Sequence, residues 1–241
     1  MPRFYCLFPI EVAQTYPLPD AVVRHVQVRR LEVGDSLELF NGDGHAYVGT
    51  LTHLDKKNAS VHIDTKLATD NESPLDITLI QAISSGERMD FTLQKCVELG
   101  VKRFLPVISE RTVVRLQGDR AQKRVDRWQE IVISACEQCG RTTVPTVMPI
   151  IPFKELGQHP FERDALKFIL SIAKNQGLKA IQPTTTSFYL LAGPEGGLTQ
   201  AEEDMAFSLG FQPITLGPRV LRTETAAMSA VSAMQLLWGD F

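Results

Sequence analysis

The chain lacks most of the features that would place it outside the ordinary globular enzymes. No stretch approaches the roughly 18 uninterrupted apolar residues of a membrane span. The opening MPRFYCLFPIEV has no long apolar region ending in a small-residue cleavage site, so no secretory signal is expected there. Cysteine is scarce: Cys6, Cys96, Cys136 and Cys139. Three of them lie in apolar patterns, as free thiols do in a reducing compartment, and a cytoplasmic location is expected. Cys136 and Cys139 form a CxxC, but no second Cys/His pair stands at zinc spacing and the motif falls late in an expected helix, so no metal is expected. Neither a Gly-Lys-Ser/Thr phosphate loop nor a GxGxxG is present. Nor is there an excess of charge: the formal net charge of −3 argues against a generic polyanion binder.

What is present is an ordinary balance, 44% apolar and 22% charged over 241 residues, enough for one or two domains with sizeable cores. The first seventy residues carry short β-like runs at Arg3–Phe8, His25–Arg30, Ser36–Phe40, His45–Leu51 and Ala59–Asp64. Turn signals stand at Val33-Gly34-Asp35 and Asn41-Gly42-Asp43-Gly44, and helical period is confined to Asp20–His25. A small β-barrel or curled sheet is expected over 1–70, with a boundary at the polar Thr69–Pro74 stretch.

From Leu75 the rhythm changes to alternating strands and helices, which predicts an α/β domain with a mainly parallel sheet over 75–241. Asp76–Ile83 reads as a strand buried on both faces, and Met89–Leu99 as a helix stopped by Gly100. A strand at Val101–Ile108 and a long helix at Asp119–Cys139 follow. Further strands are expected at Val144–Ile150, Lys167–Ile172, Phe188–Ala192 and Pro213–Leu216, and helices at Thr199–Leu209 and Thr225–Trp238. Between Val101 and Arg141, nine basic residues stand against five acidic ones, a local surplus of four that permits RNA binding.

Two segments carry chemistry. Leu190-Leu191-Ala192-Gly193-Pro194-Glu195-Gly196-Gly197-Leu198-Thr199 takes a strand into a glycine-rich loop and then a helix, whose start is marked by the capping-box spacing of Thr199 and Glu202. Taken alone it is equally a tight turn or a ligand loop, because glycines there let a ligand approach backbone N–H and C=O groups. Leu216-Gly217-Pro218-Arg219-Val220-Leu221-Arg222-Thr223-Glu224-Thr225-Ala226-Ala227 repeats the arrangement. If the two preceding strands pair, the loops are neighbours and build one pocket.

GPEGGLTQAE and LGPRVLRTETAA resemble the cofactor-binding signatures of the SPOUT methyltransferases, and within them the ribosomal RNA small subunit methyltransferase E family. QAISSGERMDFTLQKCVELG (81–100) looks like that family's first strand and helix. Ser109-Glu110-Arg111 resembles its SER element, and Glu137-Gln138-Cys139-Gly140-Arg141 with Pro145 its EQ(S/C)GR…P element. His25, Val28-Arg29-Arg30, Gly34-Asp35 and Phe40-Asn41-Gly42 are similar to its PUA-like RNA-binding domain. One departure is Ser85-Gly86-Glu87-Arg88, where the family more often has Lys before Gly and Asp after it.

The resemblance implies a C-terminal trefoil-knotted α/β domain behind a PUA-like β-barrel. It also implies S-adenosylmethionine as cofactor and methylation of uridine N3 in small-subunit ribosomal RNA. A homodimer is implied too, packed partly through the small-residue C-terminal helix, with the assembled small ribosomal subunit as the expected substrate. Leu191, Gly193, Gly196, Leu216, Leu221 and Ala226 are expected to meet the cofactor largely through backbone groups. Pro194, Gly197, Gly217, Arg222, Glu224 and Thr225 complete its rim. The chemistry needs a cation beside the uracil anion and a group to orient or deprotonate N3, and Arg222 and Glu224 are the candidates. Arg24, His25, Arg29, Arg30, Arg111, Arg115, Arg120, Lys123, Arg124 and Arg141 are the expected RNA contacts, each equally readable alone as a solvated charge. Three rivals stand beside this reading: a non-catalytic RNA-binding protein, a nucleotide-dependent enzyme of another α/β class, and the same methyl chemistry on a different base.

Overall fold

The computed structural model of the chain describes residues 1–69, 71–114, 116–171 and 176–241. Two compact units are present, Met1–Glu72 with Cys136–Val144, and Ser73–Ala135 with Pro145–Phe241.

In the first unit the elements are β1 (Arg3–Tyr5), β2 (Thr15–Pro17), α1 (Asp20–Val28), β3 (Ser36–Phe40), β4 (His45–Leu54) and β5 (Ala59–Ala68). They form a five-stranded sheet in the order β1-β3-β4-β5-β2. β1 runs parallel to β3 and the remaining pairs are antiparallel. The Asn41–Gly44 turn joins β3 to β4 as expected, held by Asn41 Oδ1 accepting from the Asp43 amide at 3.1 Å and by the Asp43 carboxylate accepting from the Tyr47 hydroxyl at 2.6 Å. Alternate residues of β3–β5, Leu37, Leu39, Leu51, Val61 and Ile63, point into one core together with Val22, Val23 and Val26 of α1. Residues 136–144 close the unit: Glu137 accepts from the Tyr5 amide at 3.0 Å, and Arg3 donates to the Cys136 carbonyl at 3.2 Å.

His25–Arg30 is not a strand; it belongs to α1 and the turn behind it. Val26 and Val28 alternate as strand residues do, but Val22, Val23 and Val26 also lie on one helical face. That face is the buried one, while Val28 remains 80% exposed. Packing against the sheet therefore overrides the β preference of the valines.

The second unit contains β6 (Asp76–Ala82), α2 (Glu87–Glu98), β7 (Arg103–Ile108) and most of α3 (Asp119–Cys139). β8 (Thr146–Val147), β9 (Ile151–Pro152), β10 (Leu166–Leu170), β11 (Gln176–Gly177), β12 (Ser187–Ala192), α4 (Gln200–Ser208), β13 (Gln212–Thr215) and α5 (Thr223–Trp238) follow. The sheet runs β11-β13-β10-β12-β6-β7-β8, with β9 also on β7, and every pairing is parallel.

Both faces of this sheet are covered, which is why its strands read as continuous apolar runs. Ile80, Leu105, Val107, Ile169, Tyr189 and Leu191 pack on Phe153 and Leu156 of a 3-10 segment and on Ala206 of α4. On the aromatic side, Trp238 of α5 stacks on Phe188 at 5.3 Å. Each fully buried side chain of this size contributes about 2 kcal/mol.

β8 is shorter than the expected Val144–Ile150, because Pro145 and Pro149 offer no N–H to a neighbouring strand. β7 begins at Arg103 rather than Val101 and α5 two residues before Thr225, while Ile172, expected at the end of its strand, lies outside the described residues. β2, β9, β11 and the 3-10 segments Phe153–Gln158 and Leu178–Ala180 carry too little pattern to be read from sequence. Among the described residues no helix is long and apolar enough to cross a membrane.

Candidate active-site cleft

β12 and β13 are parallel and end at the same edge of the sheet, where ligands of open α/β sheets bind. They do not pair with each other, contrary to the condition set for the loops to meet; β10 lies between them. The loops meet nonetheless, since the span across one strand is small beside the reach of a six- or seven-residue loop. Ala192–Leu198 and Ile214–Glu224 together line one cleft of about 1120 Å³, completed by Arg88, Arg111, Leu170, Ser171, Glu203 and Ala226.

The first loop is braced from three directions. Thr199 caps α4 by accepting from the Glu202 amide at 3.3 Å, and Glu202 Oε2 accepts from the Thr199 amide at 2.9 Å, completing the capping box that the sequence predicts. The other oxygen of Glu202 accepts from the Glu110 amide at 2.8 Å. Beside it, the Arg111 guanidinium donates to the carbonyls of Gly196 at 2.8 Å and Leu198 at 3.3 Å. Expected as a phosphate contact, Arg111 is thus placed on the glycine loop. The third brace is Glu195, whose Oε1 accepts from the Ser85 amide, the Ser85 hydroxyl and Arg88, each at 2.8 Å. Burial pushes the Glu195 carboxyl up, but its hydrogen bonds outweigh that and hold it at about 2.

Close approach fixes Gly193: a Cβ there would stand 3.3 Å from both the Leu198 side chain and its amide. In the second loop Gly217 has φ +105°, a conformation side-chain-bearing residues rarely adopt. Arg222 occupies the N-cap position of α5 with its side chain exposed. Thr223 turns inward and donates to the Gly193 carbonyl at 2.6 Å, tying the second loop to the first. Next to it, Glu224 Oε2 is buried without a hydrogen-bond partner among the described residues, at the helix end whose dipole favours a carboxylate. Four arginines (Arg88, Arg111, Arg219, Arg222) and three glutamates (Glu195, Glu203, Glu224) face the cleft. Burial, with Asp204 nearby, raises the Glu203 carboxyl.

Of the expected cofactor residues, Gly193, Pro194, Gly196, Gly197, Leu216, Gly217, Leu221, Arg222, Glu224 and Ala226 line the cleft. Thr225 does not, and the Leu191 side chain is wholly buried in the core against the 3-10 segment. The expected RNA contacts are more dispersed. Arg24, His25, Arg29 and Arg30 are exposed on the first unit, with His25 stacked on Phe4 at 6.4 Å. Arg120 and Lys123 are exposed on α3, whereas Arg124 lies half-buried over the Trp128 ring at 6.0 Å. Arg115 lies outside the described residues. Arg141, expected at a phosphate, is instead 4% exposed with its guanidinium engaged by Glu72 at 2.6 and 3.0 Å, so it braces the first unit.

The sequence reading missed the parts of the site contributed by other strands. Gln81, Ser85, Arg88, Leu170 and Ser171 lie away from both glycine loops in the chain, whereas Glu203 follows the first loop closely, on α4; Ser85 and Arg88 stand in SSGER, the segment that departs from the family pattern. The CxxC thiols are distinct in environment: Cys136 is buried and pushed up to about 12 by that burial, while Cys139 is half-buried.

Residues 71–235 match an RNA methyltransferase domain family, and residues 18–64 an RNA methyltransferase PUA domain. The Buchnera aphidicola protein named ribosomal RNA small subunit methyltransferase E is 33% identical over 245 residues, spanning 100% of this chain and 95% of its own. The Bacillus subtilis protein of the same name is 32% identical, spanning 96% and 95%. Among solved structures, the ribosomal RNA small subunit methyltransferase E of Neisseria gonorrhoeae, bound to S-adenosyl methionine, superposes with a TM-score of 0.95 at 53% identity over 100% of this chain and 99% of that one. The chain therefore belongs to the ribosomal RNA small subunit methyltransferase E family of RNA methyltransferases.

Proposed function

We propose that the cleft binds S-adenosylmethionine and that the chain methylates N3 of a uridine in small-subunit ribosomal RNA. The observation that carries this reading is the convergence of two strand-to-helix loops on one cleft of about 1120 Å³, in a member of a family whose Neisseria relative holds S-adenosyl methionine.

The residues present fit that group. Glu224 Oε2, buried and without a partner among the described residues, is an acceptor for a ligand N–H or hydroxyl. Gly193, Gly196, Gly197 and Gly217 let a ligand reach backbone groups, with Pro194, Leu216, Leu221 and Ala226 as the apolar wall. When bound, S-adenosylmethionine supplies a methyl group already activated by its sulfonium.

What remains for the protein is alignment and charge. The loops and their braces hold the acceptor base in line with the methyl, which converts a collision into a positioned attack. N3 must lose its proton to become nucleophilic. Arg222 stabilises the resulting uracil anion, and Glu224 orients the base or takes the proton. N3 lies on the pairing edge, so the target uridine enters unpaired or flipped out. Arg24, His25, Arg29 and Arg30 of the PUA-like domain (1–70), with Arg120, Lys123 and Arg124 on α3, contact phosphates.

The same reading includes a homodimer using the small residues of α5, the assembled small ribosomal subunit as substrate, a cytoplasmic location and a trefoil knot within 75–241. The sheet order, in which the chain passes from β12 over β10 to β13 and back to α5, supports that threading. Mass spectrometry of nucleosides from small-subunit ribosomal RNA, with and without the protein, tests the activity. The expected product is 3-methyluridine; transfer of the methyl to another base or to none sinks the proposal.

A further inference from the structure

Gln81 is the penultimate residue of strand β6, in register with Ala192 where the first glycine loop begins. Its side chain is wholly buried. The amide nitrogen donates to the Ala82 carbonyl at 2.9 Å and the Thr223 hydroxyl at 3.0 Å, and reaches the Gly193 carbonyl at 3.4 Å. Thr223 has one proton to give and gives it to the Gly193 carbonyl, so its oxygen accepts from Gln81. Three acceptors on three elements therefore face one amide nitrogen. The Gln81 oxygen, by contrast, is buried with no partner among the described residues.

That asymmetry is informative. A buried carbonyl left unpaired opposes stability, and an apolar side chain of similar length removes the penalty entirely. The nitrogen, however, is the link that joins the end of β6 to both the Gly193 loop and the first residue of α5. Arg222 and Glu224 stand on either side of Thr223 and share its backbone.

We propose that Gln81 is a positioning residue which, acting through Thr223, sets the Gly193 loop and the start of α5 in register with each other. It touches neither the cofactor nor the base. The methyl-transfer reading supplies the reason for that register, because both loops line the cofactor cleft and the start of α5 carries the groups that meet the acceptor base, and the inference rests on that reading.

Gln81→Met keeps the volume and removes the amide; Thr223→Val removes the hydroxyl at similar size; Thr223→Ser keeps it. Hydrogen exchange of the chain without ligand reads the positioning directly. Gln81→Met is expected to speed exchange at least tenfold in 193–198 and 221–224, with exchange elsewhere and the thermal midpoint unchanged or the midpoint raised. Thr223→Val should do the same, Thr223→Ser should restore slow exchange, and the double variant should be no faster than either single one. Calorimetric titration should show S-adenosylmethionine affinity falling about tenfold in Gln81→Met, the loss expected for one hydrogen bond. Unchanged loop exchange in Gln81→Met, additive effects in the double variant, or acceleration spread over the whole chain each overturns the proposal. A wild-type chain that binds no S-adenosylmethionine overturns the proposed function instead, and the exchange pattern still decides the role of Gln81.

Discussion

At Glu195 burial and hydrogen bonding pull in opposite directions, and hydrogen bonding wins. Three donors from Ser85 and Arg88, together with its own amide, hold its carboxyl at about 2 against an ordinary 4.5. A carboxyl depressed on folding stabilises the fold fully above its unfolded value and loses that contribution as the pH falls toward the folded one. Urea titrations should therefore show the wild type losing on the order of 1–2 kcal/mol more than Glu195→Gln between those values, the exposure of the group screening the rest. Equal acid limbs in the two proteins would show that the clasp contributes nothing. Arg222, also exposed at the cleft, acts only through its charge in the proposed mechanism. Arg222→Ala is expected to lower kcat by at least about a hundredfold while cofactor affinity by calorimetry changes less than about threefold. Unaltered turnover removes Arg222 from the mechanism. Both residues stand in motifs visible in the sequence, but the partners of Glu195 stand more than a hundred positions away, where no local pattern could point to them.

At the scale of elements, the capping box is the clearest case of a local signal that the tertiary structure reuses. Thr199 and Glu202 start α4 by themselves, and Glu202 then also accepts from the Glu110 amide across the sheet edge. Thr199→Ala should cost about 1 kcal/mol, the usual value of an N-cap. Glu202→Ala should cost about 2–3 kcal/mol, because it removes the cap's second half and leaves a backbone donor unpaired. Chemical denaturation distinguishes these outcomes; equal losses would mean the Glu110 contact carries no energy. α3 and α4 are legible to within a residue of their observed limits, α3 through its apolar period and α4 through its capping box. α1 is legible only over Asp20–His25, since Val26 and Val28 suit a strand equally well until the sheet beneath selects one face.

For the whole molecule, a net charge of −3 means that RNA affinity comes from placed cations rather than from bulk attraction. Removing Arg24 and Arg29 together should flatten the salt dependence of RNA binding by about 1.5 in the log–log slope without altering thermal stability. A slope that does not change assigns RNA capture to other residues. Periodicity, turn residues and caps are properties of neighbours in the chain, so the sequence alone determined the alternation of strands and helices, the two glycine loops and the capped start of α4. The strand order is different in kind. Placing β10 between β12 and β13, bringing Gln81, Ser85, Arg88 and Arg111 to loops a hundred residues away, and burying Arg141 against Glu72 depend on long-range pairing and desolvation. Those energies exist only once the chain has closed on itself, and no local pattern encodes them.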